Sequence, residues 1–463
     1  MRYISTRGTA PVLGFEEVLL SGLAGDGGLY VPESWPELSG EELRRLAGRP
    51  YAEVAFAVMR PFVGGAVPES SFRRMIEQAY ATFGHPAVTP LKQLDSNQWL
   101  LELFHGPTLA FKDVAMQLLA RLIDWALEKR GARATIIGAT SGDTGGAAVE
   151  AFRTSRRVEL FILHPHGRVS DVQRRQMTTV SEPHVHNIAI EGNFDDAQAL
   201  VKAMFNDRPF RERMQLAGVN SINWARIMAQ AVYYVAAGLA LGAPGRRLSF
   251  TVPTGNFGDA FAGLVAKRLG LPVERIVVAT NINDILDRTL KTGRYEVRGV
   301  APTTSPSMDI QVSSNFERLL FEATGRDGRA VEQLMQGLAQ SGAFTVPDEA
   351  LDRIRAEFTS GRTEEAEVGA CIASTFKETG ELLDPHTAVG YAVARRFDRD
   401  GSPMVTLATA HPAKFPEAVE QASGIRPALP ARLQDLMHGP ERFEVLPNSL
   451  DAVKAYIEAQ SRQ

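Results

Sequence analysis

A parallel-sheet α/β fold with a mainly helical layer in front of it is the fold class this 463-residue sequence predicts. The first observation is a set of short apolar, β-branched runs: Thr135-Ile136-Ile137-Gly138, Leu160-Phe161-Ile162-Leu163, Ser249-Phe250-Thr251-Val252, Ile276-Val277-Val278-Ala279 and Met404-Val405-Thr406-Leu407. They lack polar alternation, as strands buried on both faces do. The second is that helical stretches with one apolar stripe separate them, the pattern of strand, helix, strand units. The third is a change of texture after residues 99–101, before which the periodic segments read as helix.

In chain order, residues 1–95 form the N-terminal layer. Apolar spacing predicts helices over 15–20, 41–46, 51–62 and 72–83, and Asp26-Gly27-Gly28 marks a turn before Leu29-Tyr30-Val31. Over 112–129, Ala115, Leu118, Leu119, Leu122, Ile123 and Ala126 make one stripe, and 224–241 and 261–269 read the same way. The last stretch, 429–463, carries short helical patterns suited to packing on the main body. No internal repeat, low-complexity tract or Gly/Ser-rich linker interrupts the chain.

At about 150 residues per domain, this length allows roughly three domains or one large two-lobed enzyme with additions. With 44% hydrophobic and 22% charged residues the composition is that of an ordinary globular protein, which excludes disorder as its theme. Lys+Arg of 50 against Asp+Glu of 54 gives −4 without any run of like charge, so neither a nucleic-acid stripe nor a polybasic membrane patch is predicted. A single cysteine, Cys371, excludes an intramolecular disulfide framework and a Cys-rich zinc site. The longest apolar stretch, 231–243, is too short to span a bilayer, and residues 1–5 have no apolar signal core. The expectation is a cytoplasmic protein with a small anionic or zwitterionic ligand.

Three segments could carry chemistry. Gly138-Ala139-Thr140-Ser141-Gly142-Asp143-Thr144-Gly145-Gly146 follows a strand and opens a helix. Its small residues let backbone N–H groups approach an anion, aided by the helix dipole. It lacks the Gly-Lys-Ser/Thr ending of a nucleotide P-loop and the dinucleotide spacing, and its plain alternative is a tight strand-to-helix connection. Val252-Pro253-Thr254-Gly255-Asn256-Phe257-Gly258-Asp259 repeats the order, so two such turns could seat two anionic groups or two ends of one ligand. The alternative there is Gly255 and Gly258 serving backbone conformation while Asp259 caps a helix. In Phe104-His105-Gly106-Pro107-Thr108-Leu109-Ala110-Phe111-Lys112-Asp113 a lysine follows an apolar stretch. Burial pushes such an amine toward its neutral form, a nucleophile able to form a Schiff base with a carbonyl or with pyridoxal phosphate. Alternatively Lys112 pairs with Asp113 or keeps its head in water. His164-Pro165-His166 and His184-Val185-His186 are pairs without a further metal ligand in view, better read as surface or core histidines. No Gly-x-Ser-x-Gly elbow is present.

Together these segments resemble the threonine synthase family, pyridoxal-phosphate enzymes of fold type II in the tryptophan-synthase-β superfamily. The resemblance covers nearly the whole chain, through Tyr3-Ile4-Ser5-Thr6-Arg7-Gly8, Leu23-Ala24-Gly25-Asp26-Gly27-Gly28-Leu29, His105-Gly106-Pro107-Thr108, Phe111-Lys112-Asp113, Asn220-Ser221-Ile222-Asn223-Trp224-Ala225-Arg226, Ser305-Pro306-Ser307-Met308-Asp309 and Thr409-Ala410-His411-Pro412-Ala413-Lys414-Phe415. It implies two parallel-type α/β subdomains with pyridoxal 5'-phosphate (PLP) between them. The N-terminal domain would span 1–95, the catalytic domain 96–428 with a smaller subdomain at roughly 130–235, and a helical extension 429–463. Lys112 matches the lysine that holds PLP and, once released, shuttles protons at the substrate's Cα and Cβ. Gly255, Asn256, Phe257, Gly258 and Asp259 match the loop for the cofactor phosphate, and Thr409 the hydroxyl beside the pyridine nitrogen. Ser141, Gly142, Asp143 and Thr144 match the loop that receives the substrate carboxylate. Many superfamily relatives have Asn at the position of Asp143, whose charge would repel a carboxylate unless it faces elsewhere. Thr144, Asn220, Ser221 and Arg226 match a pocket for the substrate's phosphate, where a guanidinium with hydroxyl and amide donors suits a dianion.

The implied reaction is O-phospho-L-homoserine plus water giving L-threonine plus phosphate, by γ-elimination and β-addition, the last step of threonine biosynthesis. A PLP-dependent amino-acid phospho-lyase or dehydratase on the same fold is the competing enzyme, distinguished by a keto-acid product. A non-catalytic PLP- or phosphoamino-acid-binding protein is the reading from another class, distinguished by spectral binding without turnover. The expected chain is a monomer, with a dimer as the alternative, and no nucleic acid, membrane or metal is implied.

Overall fold

Each predicted apolar run lies in a strand, because residues that bury both faces of a sheet leave no polar position for alternation. In the computed structural model, which describes residues 1–218, 220–397 and 401–461, these strands divide between two sheets. The larger is ordered Phe358–Arg362, Val273–Thr280, Leu248–Pro253, Met404–Ala408, Gln98–Glu102, Leu91–Gln93. Its neighbours are parallel except the last pair, which is antiparallel. The smaller is ordered Glu444–Pro447, Val185–Glu191, Val158–Pro165, Ala134–Ala139, Leu216–Ala217 and is parallel throughout.

The long helices follow the apolar stripes. Lys112–Arg130 stops at Gly131, whose left-handed φ of 64° closes the last turn. Trp224–Ala240 is buried nearly all round because it packs on Tyr51–Val63, Lys112–Arg130 and Gly258–Arg268 at once. At its start the Trp224 ring meets Tyr3, Trp35 and Phe62 with centroids 5.9, 6.1 and 5.5 Å away. Such pairs add about 0.5–1.5 kcal/mol each beyond burial, so an aromatic cluster fastens the N-terminal layer to the larger lobe.

Two regions differ from expectation. The N-terminal layer contains the helices Phe15–Ser21, Gly40–Leu46, Tyr51–Val63 and Glu69–Tyr80, but also a small antiparallel sheet of Arg2–Ser5, Leu13–Gly14 and Tyr30–Pro32. Strands this short carry too few residues for a period. The C-terminal stretch is not helical alone: Glu444–Pro447 extends the smaller sheet before the helix Leu450–Gln460 buries Val453 and Ile457 in the core cluster that also holds Ile188 and Ile190. Pro447 is tolerated because it sits on an edge strand. His186 stacks on Phe161 with Nε2 3.0 Å from Glu159, a packed histidine. Among the described residues no helix is long and apolar enough to cross a membrane.

Candidate active site

Lys112 opens its helix at the carboxyl edge of the larger sheet. Ahead of it Leu109 holds a left-handed φ of 61°, a strained conformation for a residue with a Cβ. The segment after the strand Met404–Ala408 keeps it there. Ala110 bridges Ala410, Phe111 N–H donates to Thr409 O at 2.8 Å, and His411 N–H donates to Leu109 O at 3.0 Å. Thr409, itself buried, is thereby fixed beside the residues that lead into Lys112. The Lys112 side chain is 11% exposed. Burial pushes its ammonium below the usual lysine range, Lys414 and Arg226 push the same way, and Asp143 offsets part of the drop.

The Ser141–Thr144 loop lies between the strand Ala134–Ala139 and the helix Asp143–Phe152. Gly142 has φ 143°, and a Cβ there would stand 2.5 Å from Gln173 Cδ, so the position requires glycine. Thr140 Oγ1 accepts the N–H groups of Gly142 and Gly145, both at 2.9 Å. The N–H groups of Ser141, Asp143 and Thr144 meet no acceptor among the described residues, and at a helix N-terminus they form a seat for an anion. The Asp143 side chain faces away from that seat. Its Oδ1 accepts from Lys414 Nζ at 2.8 Å and Gln173 Nε2 at 2.9 Å, while Oδ2 accepts from Ser307 Oγ at 3.0 Å and lies 3.5 Å from Lys112 Nζ. Burial pushes this carboxyl up, but Lys414, Lys112 and His386 outweigh it and hold it well below the usual range. Asp143 therefore faces the nitrogens of two lysines, which offsets the repulsion its charge would offer a carboxylate.

The second loop follows the strand Leu248–Pro253. Phe257 takes φ 62° with its ring wedged between Phe316 and Phe358, at 5.5 and 5.3 Å, and its N–H donates to Thr254 Oγ1 at 3.1 Å. The N–H groups of Gly255, Asn256 and Gly258 meet no acceptor among the described residues. From behind, Ser313 Oγ donates to Gly255 O at 2.7 Å and Asn315 N–H to Asn256 O at 3.0 Å. The Asp259 carboxylate accepts from Thr254 Oγ1 and from Ala260 N–H within the first turn of the helix Gly258–Arg268, whose N-cap is Phe257 without a side-chain bond; burial pushes its pKa up to about 6.

Arg226 sits in the first turn of Trp224–Ala240 and is 4% exposed. Its Nε and Nη1 meet no partner among the described residues, and burial pushes its pKa down to about 10. An unpaired buried guanidinium is costly, which marks a place built for an anion. Ser221 is partly buried with its carbonyl held by Asn315 Nδ2 at 3.1 Å. Asn220 is exposed, its Oδ1 accepting Ile222 N–H at 3.3 Å. Thr144 is partly exposed. The structure thus brings Lys112, Asp143, Arg226 and Asp259 within electrostatic reach of one another, sets Thr409 beside the residues leading into Lys112, and leaves Asn220 toward solvent.

Sequence reasoning missed Lys414, Gln173, Gln176, Ser307 and Arg318. Lys414 follows a buried strand and an apolar turn, the same context that singled out Lys112, and that signal could have found it. A cavity of about 230 Å³ between Arg7, Tyr295, Glu317, Met335 and Phe344 lies behind the second loop and touches none of the predicted site residues.

The family model described as Threonine synthase N terminus matches residues 2–80, Pyridoxal-phosphate dependent enzyme matches 83–334, and Threonine synthase, C-terminal matches 387–457. A threonine synthase from Pseudomonas aeruginosa is 57% identical over 459 residues, covering 99% of this chain and 98% of its own. The crystal structure of PLP-bound threonine synthase from Brucella melitensis is 61% identical, covers 100% of both chains and superposes with a TM-score of 0.98. The yeast threonine synthase structure is 39% identical, covers 99% and 98%, and gives a TM-score of 0.95. The chain belongs to the threonine synthase family of pyridoxal-phosphate-dependent enzymes.

Proposed function

We propose that the protein converts O-phospho-L-homoserine and water to L-threonine and phosphate with PLP as cofactor. One observation carries this reading: a nearly buried Lys112, its amine pushed toward neutrality, lies near two loops of unpartnered N–H groups and near an unpaired buried Arg226.

The donor set fits PLP. The N–H groups of Gly255, Asn256 and Gly258 suit its phosphate, the Lys112 amine its aldehyde and the Thr409 hydroxyl its ring nitrogen. When bound, PLP supplies the electron sink that acidifies substrate hydrogens. The Lys112 amine, pushed toward its neutral form by burial, takes the proton from Cα and moves the proton at Cβ. The amides of Ser141, Asp143 and Thr144 hold the substrate carboxylate. Arg226, with the Thr144 and Ser221 hydroxyls, holds the phosphate ester. Its unmet donors are satisfied only when a dianion arrives, so binding energy orients the leaving group. Phosphate departs from Cγ, which ends as a methyl group, and one water supplies the hydroxyl at Cβ.

A dehydratase acting on an unphosphorylated hydroxyamino acid needs no buried Arg226, which favours the phosphorylated substrate. The test is to assay the purified protein with O-phospho-L-homoserine for phosphate, threonine and keto acid together. Equal phosphate and threonine are expected. Phosphate with a keto acid would make the protein a lyase, and a visible cofactor band without turnover would make it a binding protein. We read the location as cytoplasmic, a reducing compartment that a single cysteine suits, and the working form as a monomer divided at 1–95, 96–428 and 429–463.

A further inference from the structure

Lys414 has no assigned part in this site, yet its side chain is 0% exposed. Nζ donates to Thr108 O at 2.7 Å and to Gln176 Oε1 at 3.1 Å, and it forms an ion pair with Asp143 Oδ1 at 2.8 Å. Two of those partners, Asp143 and Gln176, come from helices beside the smaller sheet, whereas Lys414 follows a strand of the larger one. The other oxygen of Asp143 faces Lys112 at the longer distance of 3.5 Å and takes the Ser307 hydroxyl at 3.0 Å. Ser307 is in turn set by its own N–H, which donates to His386 Nε2 at 3.2 Å, so that His386 Nδ1–H donates to Asp384 at 2.8 Å.

A buried carboxylate needs a cation. If Lys112 were the only one, Asp143 would hold it as an ammonium, the form useless as a base. Lys414 meets that need at the other carboxylate oxygen and at the shorter distance, 2.8 Å against 3.5 Å. We infer that Lys414 is a positioning residue: it neutralises Asp143 across the two lobes, so that Asp143 can face and orient Lys112 without keeping it as its ion-pair partner. The inference rests on the reading of Lys112 as the residue that holds PLP.

The titratable and charged groups facing Lys112 are Asp143, Lys414, Arg226 and Asp259, and those facing Asp143 are Lys414, Lys112 and the His386 imidazole. Removing Lys414 leaves Asp143 facing Lys112 without the second lysine, which favours a proton on the Lys112 nitrogen. The test is a pH titration of the visible band of the PLP-loaded protein, without substrate, for wild type, Lys414→Met, Lys414→Arg and the double variant Lys414→Met with Asp143→Asn. Lys414→Met should move the midpoint of the band's pH-dependent change upward by about one unit or more, the usual effect of an opposite charge within 4–6 Å. Lys414→Arg should stay near wild type, and the double variant should return most of the way. An unmoved midpoint in Lys414→Met, or a double variant displaced as far as the single one, overturns the inference. If Lys414→Met does not fold, the double variant decides: a folded double variant supports the pairing and an unfolded one refutes it. A wild-type protein with no visible band would overturn the reading of Lys112 as well, so the two failures are distinguishable.

Discussion

Arg318 offers the sharpest test of how the N-terminal layer serves the site. It is fully buried and donates from Nε and Nη2 to Tyr30 O at 3.1 and 2.9 Å, from Nη2 to Ile222 O at 2.6 Å, and from Nη1 to Asn315 Oδ1. Tyr30 belongs to the N-terminal sheet, Ile222 to the segment leading to Arg226, and Asn315 to the brace behind the second loop. Replacing Arg318 by Met keeps most of the volume but leaves three oxygens without a donor. At about 1–3 kcal/mol each, less what is recovered by no longer burying a guanidinium whose pKa burial has driven down to about 9, the expected net loss is about 2–4 kcal/mol. Freed from Arg318, the Asn315 side chain no longer fixes Asn256 O and Ser221 O, each now 3.1 Å from its Nδ2. PLP affinity should therefore fall about tenfold, the worth of roughly one net hydrogen bond. Urea unfolding of the cofactor-free protein and a fluorescence titration with PLP measure the two effects separately. Lost stability with unchanged PLP affinity would refute the coupling of the layer to the loop.

Arg226→Met should stabilise the cofactor-free protein by about 1–3 kcal/mol, because the guanidinium it removes is buried and unpaired, while raising KM for a phosphorylated substrate at least tenfold; loss of PLP instead would show that Arg226 serves the cofactor. Gly145→Ala would place a Cβ 2.4 Å from Thr140 Cγ2 and 2.6 Å from Met177 Sδ, so a loss of about 1–3 kcal/mol from overpacking is expected, and a variant as stable as wild type in urea contradicts this geometry. Burial pushes the carboxyls of Asp113 and Asp259 from 3.8 up to about 6, so between those values the folded state keeps protons that the unfolded chain has released. Stability contributed by each is thus present below about pH 4 and lost by pH 6, up to about 3 kcal/mol apiece. Asp113→Asn should gain on wild type as pH rises from 4 to 7, and a difference independent of pH would count against the argument. Asp143 acts in the opposite sense, its contribution lost on acidification because its carboxyl is held low.

Much of the fold was legible because it is written in local pattern. The run Ile276-Val277-Val278-Ala279 could hardly be anything but a buried strand, and it lies inside Val273–Thr280. The helix begun at Lys112 ends one residue beyond its predicted limit, where Gly131 closes it. The strand Glu444–Pro447 was not legible, since an exposed edge strand shows no apolar alternation. The site divides the same way. Glycine-rich turns after strands and a lysine after an apolar stretch have local signatures, so both loops and Lys112 could be named. Lys414 finds Thr108 at a separation of 306 residues and Gln176 at 238, and Ser307 finds Asp143 at 164. No period or spacing encodes a partner that distant. The charge of Asp143 was a difficulty as long as only its neighbours in sequence were known, and the two lysines that resolve it arrive only with the fold.

Two buried lysines face Asp143, and only Lys112 is expected to carry the cofactor. The most direct measurement is to load the protein with PLP, reduce it with borohydride and map the modified peptide by mass spectrometry. A phosphopyridoxyl label on Lys112 and none on Lys414 is the predicted result; a label on Lys414, or on neither, would contradict it.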